Sequence, residues 1–148
     1  MTERLRIPDG FQLLQRSGPF LTLLGPLYYK QDEQDRSVIA MRIEEKHLNV
    51  RDIAHGGMLV TLADSALAIA LSRASKQPLA MVTVSLTTDF ADSARRGDWV
   101  EAHVDIQRVG RRMAYANCYL HVAEKRILRA SGVFAVMPRH KPQESFEG

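Results

Sequence analysis

The chain lacks several features that would assign it to a specialised class of protein. Its 148 residues include one cysteine, Cys118, which excludes an internal disulfide and a thiolate metal cluster. Aromatic residues make up only 7% and the formal net charge is +3, unlike the basic, aromatic surface of a nucleic-acid binder. No uninterrupted apolar run reaches the roughly 18 residues of a membrane span, and residues 1–10 contain no apolar signal-peptide core. We therefore expect a cytoplasmic protein that binds neither nucleic acid nor a membrane.

Motifs for metal and phosphate binding are also missing. No two histidines have the spacing of zinc ligands. The sequence contains neither a phosphate-cradling glycine loop nor a Gly-x-Ser-x-Gly nucleophile turn. We therefore expect no bound metal and no cofactor.

What is present indicates a single globular domain. Hydrophobic residues make up 45% and charged residues 25%, which is ordinary for a globular protein, and 148 residues fit one domain. We expect this domain to occupy residues 1–148, with its folded core over about 20–138 and a polar, frayed tail over 139–148.

One long helix dominates the pattern of apolar residues. Segment 58–75 predicts a helix, and from Met58 to Leu71 only Thr61, Asp64 and Ser65 are not apolar. A helix that is apolar almost all round must be buried on nearly every side. A sheet of five or six strands would have to curl around it, and a partner subunit could cover what remains.

The other segments predict a short helix and several strands. We expect a helix over 11–17, an extended or mixed segment over 20–30 and a strand over 37–48. After Pro78 the period changes to two and predicts four strands in meander, over 79–90, 99–109, 113–124 and 127–137. The first of these places Val82, Val84, Leu86 and Phe90 on one face, opposite Thr83, Ser85, Thr87 and Asp89. The fold class is therefore α+β, with one helix packed on an antiparallel sheet.

Two adjacent glycines, Gly56 and Gly57, precede the apolar helix. The N–H groups of a helix's first turn have no partners inside the helix and lie at the positive end of its dipole. Without Cβ atoms, glycines let an anion, or a carbonyl oxygen that gains negative charge, approach these groups. A second interpretation is that the pair only permits a tight turn.

Asp64 lies two turns into this helix. Burying an unpaired carboxylate costs on the order of several kcal/mol. If Asp64 faces a cleft, it is suited to act as a general base or a nucleophile. The alternative is a solvent-facing or salt-bridged carboxylate that shares a polar face with Thr61 and Ser65 at i, i+3, i+4 spacing.

Two further polar residues precede the glycines. His55 can satisfy a backbone group near the helix cap, and Asn49 can cap or organise the same loop. Neither residue alone specifies a function.

Together these residues form a recognisable series: Asn49, then His55-Gly56-Gly57, then Asp64 seven residues beyond the second glycine. With the later strings VTVSLTTDF and VGRRMAYA, the series resembles the hotdog-fold acyl-CoA thioesterases of the phenylacetate-pathway type. The likeness covers about residues 20–138. It implies a long helix wrapped by an antiparallel sheet, with subunits joined edge to edge in a homodimer that commonly pairs into a homotetramer. It also implies an active site at the dimer interface.

The resemblance gives each residue of the series an expected role. Gly56 would donate its N–H to the thioester carbonyl, with Gly57 beside it in contact with the substrate. Asp64, from the other subunit, would be the nucleophile or the base that activates water. His55 and Asn49 would orient the substrate or assist the departing thiolate.

Two hydroxyl residues complete the implied site. Thr83 matches a position that helps to hold the water, where the family often has Ser. Ser85, predicted as its neighbour on the same strand face, is a weaker candidate for contact with the substrate.

The substrate would carry phosphates, which arginine binds well. Candidates in predicted turns are Arg95, Arg96, Arg111 and Arg112. The alternative for each is a solvated surface charge.

The spacing along the helix supports a site shared between subunits. Gly56 and Asp64 are about 12 Å apart at the helical rise, which is too far for both to act on one carbonyl carbon from the same chain. Two other interpretations stay open: an acyl-thioester dehydratase or hydratase on the same fold, and a non-catalytic acyl-CoA binding or sensing module. The His55-Gly56-Gly57 string at the helix start favours the hydrolase.

Overall fold

The computed structural model describes residues 6–75 and 79–138. Within these ranges the chain forms two α-helices and one seven-stranded antiparallel sheet. In chain order the elements are β1 (Gln12–Leu13), α1 (Pro19–Leu24), β2 (Tyr28–Gln31), β3 (Ser37–Arg42), a 3-10 turn (Glu45–His47), α2 (Gly56–Ala74), β4 (Leu79–Phe90), β5 (Trp99–Val109), β6 (Met113–Val122) and β7 (Lys125–Pro138). The predicted tail over 139–148 and the predicted stop at Pro78 lie outside the described residues.

Helix α2 packs against the curled sheet and contacts strands β3 to β7. Its buried residues recur at intervals of one, three and four, as one broad face of a helix requires. They are Met58, Leu59, Leu62, Ala63, Ala66, Leu67, Ala70 and Leu71. Burying each of the large side chains contributes about 1.5–3 kcal/mol, so this face is a principal source of stability. The predicted α+β architecture, one long helix wrapped by an antiparallel sheet, is confirmed.

The predicted meander of four strands is wrong for β4. Strands β5, β6 and β7 form a meander, but β4 pairs with β7, so the sheet order is β1-β2-β3-β5-β6-β7-β4. Residues 91–98, between β4 and β5, form a connection longer than the two to five residues typical of a hairpin loop. This connection takes the chain across one end of the sheet, where the Ala91 N–H donates to the Ile127 carbonyl. Strand β4 is left at the edge.

A β-bulge at Val84 changes which side chains of β4 face the helix. Thr83 pairs with Phe134 and Ser85 pairs with Val133, so two steps along β4 match one step along β7. Phe134 is fully buried in the core. Thr83 shares its face and points toward α2, whereas Ser85 lies on the opposite side of the sheet.

The predicted alternation along β4 is therefore wrong. Val82 and Val84 do not share the inner face with Leu86, because they are 54% and 59% exposed in the single chain. Leu86 pairs with Gly132 and packs against the core. Residue types alone do not reveal the bulge, since one extra residue moves every later side chain to the other face.

The N-terminal segment also departs from the prediction. Gln12–Leu13 forms strand β1, which pairs with β2, in place of a helix over 11–17. Helix α1 instead begins at Pro19, because the fixed φ and missing N–H of proline suit the first helical position. Strand β3 ends at Arg42 rather than near residue 48, and the 3-10 turn follows it.

Helix α2 has the length and mean hydropathy of a membrane span, contrary to the expectation that no segment does. Its broad buried face packs on the sheet, and Asp64 lies at its middle. The same composition is typical of the core helix of a globular domain.

Leu67 of α2 tests how much this packing contributes to stability. Its side chain is fully buried, so Leu67→Ala should lower the free energy of unfolding by about 2–5 kcal/mol through lost contacts and a cavity. Leu23 of α1 is 71% exposed, and Leu23→Ala should cost less than about 0.5 kcal/mol. Urea unfolding at one protein concentration compares the two variants, and equal losses would contradict the packing described above.

Candidate active site

His55 caps helix α2 with its side chain. Its Nδ1 atom accepts a hydrogen bond from the Gly57 N–H at 2.9 Å. Because Nδ1 accepts, the proton of the neutral ring lies on Nε2, which can donate to another group. The predicted capping role is confirmed, and the exposed ring keeps one donor for a ligand.

The two glycines make room for aromatic rings. A Cβ atom at Gly57 would lie 3.1 Å from the His55 ring, and a Cβ atom at Gly56 would lie 3.1 Å from Cε1 of Phe90. Neither glycine has a positive φ, so neither is required for a left-handed backbone conformation. No hydrogen bond to the Gly56 N–H forms within the described residues, so this donor is available at the helix start.

Asn49 organises the loop before the helix. Its Oδ1 accepts from the Arg51 N–H at 2.9 Å, and its own N–H donates to the Ile53 carbonyl at 2.8 Å. A β-bridge joins Ile53 to Arg95 on the connection between β4 and β5. The predicted organising role of Asn49 is confirmed.

A buried histidine, His47, also holds this loop in place through hydrogen bonds. His47 is 2% exposed, and its Nδ1 accepts from the Glu44 N–H while its Nε2 donates to the Leu24 carbonyl at 2.6 Å. The His47 carbonyl in turn accepts from the His55 N–H at 2.8 Å. Sequence spacing shows only that His47 has no zinc-ligand partner, and it gives no sign of this supporting role.

Asp64 and Thr83 meet beside the part of α2 that the sheet leaves open. Thr83 Oγ1 donates to Asp64 Oδ1 at 2.7 Å. Asp64 is half-buried, and it forms no ion pair anywhere in residues 6–75 and 79–138. The part of α2 that the sheet leaves open forms a stripe along the helix, which also contains Thr61. The Thr61 hydroxyl donates a hydrogen bond to the Gly57 carbonyl at 3.0 Å. A salt-bridged Asp64 is therefore not observed, and its Oδ2 can accept from a water or meet a substrate.

Ser85 does not join this pair. The bulge at Val84 places its side chain on the outer side of the sheet, while Thr83 faces the helix. The predicted common face of Thr83 and Ser85 is wrong, because that prediction assumes an unbroken two-residue period.

Two of the four arginines lie at the same end of the molecule as the start of α2. Arg95 forms the bridge to Ile53, three residues before Gly56. Arg96 makes an exposed ion pair with Glu45 at 3.7 Å. An exposed pair of this kind holds its partners weakly, so Arg96 can turn to another anion. The Arg95 side chain is exposed and forms no ion pair among the described residues.

Arg111 and Arg112 lie at the other end of the sheet. The Arg112 carbonyl accepts from the Val136 N–H, and Val136 pairs with Met81. From Met81 to Phe90, beside Gly56, is a distance of about 30 Å along the strand. One chain therefore does not bring these two arginines to the start of its own helix.

The described residues give little support for a thiolate nucleophile or for a metal site. Burial raises the pKa of the Cys118 thiol to about 12, so it is not a thiolate nucleophile at neutral pH. Among the described residues, no group of three His, Cys, Asp or Glu side chains is arranged to hold a metal ion.

A long helix wrapped by one antiparallel sheet, with an open donor at its start and a carboxylate at its middle, defines a hotdog-fold protein. The Thioesterase superfamily model matches residues 52–128. A candidate esterase of Pseudomonas aeruginosa is 48% identical over 130 residues, which cover 88% of this chain and 97% of that protein. The chain belongs to the thioesterase superfamily, and its activity class is that of a hydrolase.

Solved structures agree with this assignment. A Bacillus halodurans protein crystallised with CoA superposes with a TM-score of 0.75 at 20% identity, over 85% of this chain and 83% of that one, a likeness of fold alone. A mutant of the phenylacetic acid degradation protein PaaI from Thermus thermophilus gives a TM-score of 0.69 at 28% identity, over 81% of this chain and 100% of that one. The resemblance to hotdog thioesterases of the phenylacetate type is confirmed.

His55 variants separate capping from chemistry. His55→Ala should lower the free energy of unfolding by about 1 kcal/mol because the Gly57 N–H loses its acceptor. His55→Asn restores an N-cap acceptor and should keep stability near that of the wild type, but it lacks the ring Nε2–H. We expect His55→Asn to lower kcat for thioester hydrolysis while urea unfolding is unchanged. A fully active His55→Asn enzyme would limit His55 to capping.

Proposed function

We propose that this protein is an acyl-CoA thioesterase that hydrolyses an acyl-CoA to a free carboxylic acid and CoA. The observation that carries the proposal is the Asp64–Thr83 hydrogen bond on the open stripe of α2. This hydrogen bond orients the half-buried Asp64 carboxylate and leaves its second oxygen available. The CoA in the Bacillus halodurans relative of the fold supports the choice of substrate. A cytoplasmic location, inferred from the sequence, belongs to the same proposal.

The chemistry needs few groups because a thiolate leaves readily. Asp64 either takes a proton from water, whose oxygen then attacks the thioester carbon, or attacks that carbon itself. In both routes the C–S bond breaks and CoA leaves as a thiolate that gains a proton. In the second route the product of attack is a mixed anhydride on Asp64, which water hydrolyses at the acyl carbon to release the acid and restore the carboxylate. Water thus supplies the second oxygen of the acid. The Gly56 N–H stabilises the negative charge on the carbonyl oxygen. His55 Nε2–H is placed to donate a hydrogen bond to the sulfur of the departing thiolate.

We also propose that two copies share each site through the edge of β4. This strand is 12 residues long, and its outer edge has no partner strand in the described chain. Long exposed edges pair readily with another strand, and Val82 and Val84 here are more than half exposed. A two-fold axis would pair β4 with β4 of a second copy in antiparallel orientation.

Antiparallel pairing places opposite ends of the two β4 strands side by side. Gly56 lies beside Phe90, and Asp64 lies beside Thr83. An antiparallel pairing centred near Leu86 would place the Phe90 end of one copy beside the Thr83 position of the other. The Gly56 N–H of one copy would then approach Asp64 of its partner, and two such dimers could form a tetramer.

The same antiparallel pairing would bring Arg111 and Arg112 close to the site of the partner copy. They lie at the Met81 end of β4 and about 10 Å to the side, across two strands. Antiparallel pairing would bring that end next to the start of the partner's helix. Both arginines could then bind the CoA phosphates of a substrate held at Gly56 of the other copy.

The proposed reaction is tested by release of free thiol from a panel of acyl-CoAs. Asp64→Asn keeps the size of the side chain and removes its basicity and negative charge. Gly56→Pro removes the N–H and adds the ring carbons of proline, including a Cβ near Phe90. The backbone accepts the change, because Gly56 is the first helical residue and His55 already has the extended backbone that precedes proline. Each change should lower kcat/KM on the order of 100-fold or more.

Matched variants control for folding. Gly56→Ala adds a Cβ near Phe90 but keeps the N–H, so its loss of activity should be much smaller than that of Gly56→Pro. Circular dichroism should show wild-type helix content for all three variants. Full activity in Asp64→Asn, or no acyl-CoA turned over by the wild type, would refute the proposed function.

A further inference from the structure

An unassigned cleft begins one helical turn beyond Asp64. It has a volume of about 400 Å³ and lies between the later half of α2 and the segment that holds β1 and α1. Ala68 and Ile69 of the helix and Met81 of β4 form its apolar floor, and Leu14 and Leu21 close it from the other side. This volume is in the range of small-molecule pockets.

The cleft is continuous with the proposed reaction site. Asp64, Ala68 and Ile69 occupy one half-exposed stripe of α2 at i, i+4, i+5 spacing. Met81 is two residues from Thr83, on the same side of β4 before the bulge. A group bound beside Asp64 and Thr83 therefore has a direct apolar path into the cleft.

Among the described residues that line the cleft, two are arginines and none carries a carboxylate. Arg16 comes from the N-terminal segment and Arg73 from the last turn of α2. Neither makes an ion pair within the part of the chain that the structure describes. The Arg73 guanidinium lies 3.7 Å from the centroid of the Tyr29 ring, which orients it. Arg73 is nine residues beyond Asp64, about 13 Å along the helix.

We propose that this cleft binds the acyl group of the substrate and selects acyl chains that end in a second carboxylate. The proposal rests on the thioesterase function and names its substrate class as medium-length ω-carboxyacyl-CoA. The methylene chain would lie on Ala68, Ile69 and Met81. Its terminal carboxylate would accept charge-assisted hydrogen bonds from Arg73 and Arg16.

The CoA phosphates are the other negatively charged groups of the substrate that these two arginines can bind. The order of apolar and basic groups along the cleft argues against this alternative. An apolar floor separates Asp64 from the two arginines, and such a floor suits a hydrocarbon chain better than the amide-rich arm of CoA. All acyl-CoAs share the same phosphates, whereas only some carry a distal carboxylate. A comparison of matched substrates therefore distinguishes the two sources.

Binding of non-hydrolysable thioethers tests the cleft independently of catalysis. Calorimetry should show that ω-carboxypentyl-CoA binds the wild-type protein about tenfold more tightly than hexyl-CoA, because charge-assisted hydrogen bonds are strong. Arg73→Met and Arg16→Met should each reduce that ratio. Arg108→Met, on the exposed outer side of β5, is the matched control and should leave it unchanged.

Kinetics should follow the same preference. We expect kcat/KM for adipoyl-CoA to exceed that for hexanoyl-CoA, and suberoyl-CoA to exceed octanoyl-CoA, with both ratios lowered by Arg73→Met. If Arg73→Met lowers kcat/KM for all four esters by the same factor, the arginine binds the CoA phosphates and the proposal is overturned. Equal binding of the two thioethers also overturns it, even if the esters are hydrolysed. If the carboxylate thioether binds preferentially but no ester is hydrolysed, the cleft assignment stands and the thioesterase function fails.

Discussion

The structure depends on covering one apolar helix. Helix α2 is too apolar to leave in water, and the curled sheet covers one broad face of it, from Met58 to Leu71. The remaining stripe, with Asp64 at its middle, is only half-buried. Because one chain does not complete the cover, the carboxylate is neither sealed in the core nor fully in water. In the proposed mechanism, this partly open stripe lets a substrate reach a carboxylate with limited hydration.

The edge strand links this stripe to the rest of the proposed site. The bulge at Val84 turns Thr83 toward the helix, where it holds Asp64 at 2.7 Å, and sends Ser85 to the other side. The bulge thus decides which of the two hydroxyls reaches Asp64. At the far end of the same strand, Phe90 packs against Gly56, and only a glycine leaves room for that ring without displacement. Strand β4 therefore positions both ends of the proposed site, and its outer edge has no partner strand among the described residues.

Much of this arrangement could be predicted from sequence, since the helix and its Asp64 stand out by period and composition. The strand β5 is predicted with the bounds that the structure has, Trp99–Val109, because its apolar residues alternate regularly from Val100 to Ile106. The place of β4 in the sheet and the side that Ser85 faces were missed for physical reasons. Strand pairing is non-local, and a bulge leaves no mark in the alternation of residue types. His47 was missed because its partners are backbone groups, which every residue offers. The resemblance supplied the roles of Gly56 and Asp64, whereas composition alone left them open.

Mixing two inactive variants tests the shared site most directly. Asp64→Asn keeps an intact Gly56, and Gly56→Pro keeps an intact Asp64. If each site uses Gly56 of one copy and Asp64 of another, a mixed dimer has one complete site and one with both defects. Co-refolding equal amounts of the two variants gives mixed dimers in about half of the population and should restore about a quarter of the wild-type activity. Each variant refolded alone should stay inactive. Mixed dimers that form, as shown by two different affinity tags, yet have no activity would contradict a site built from two copies.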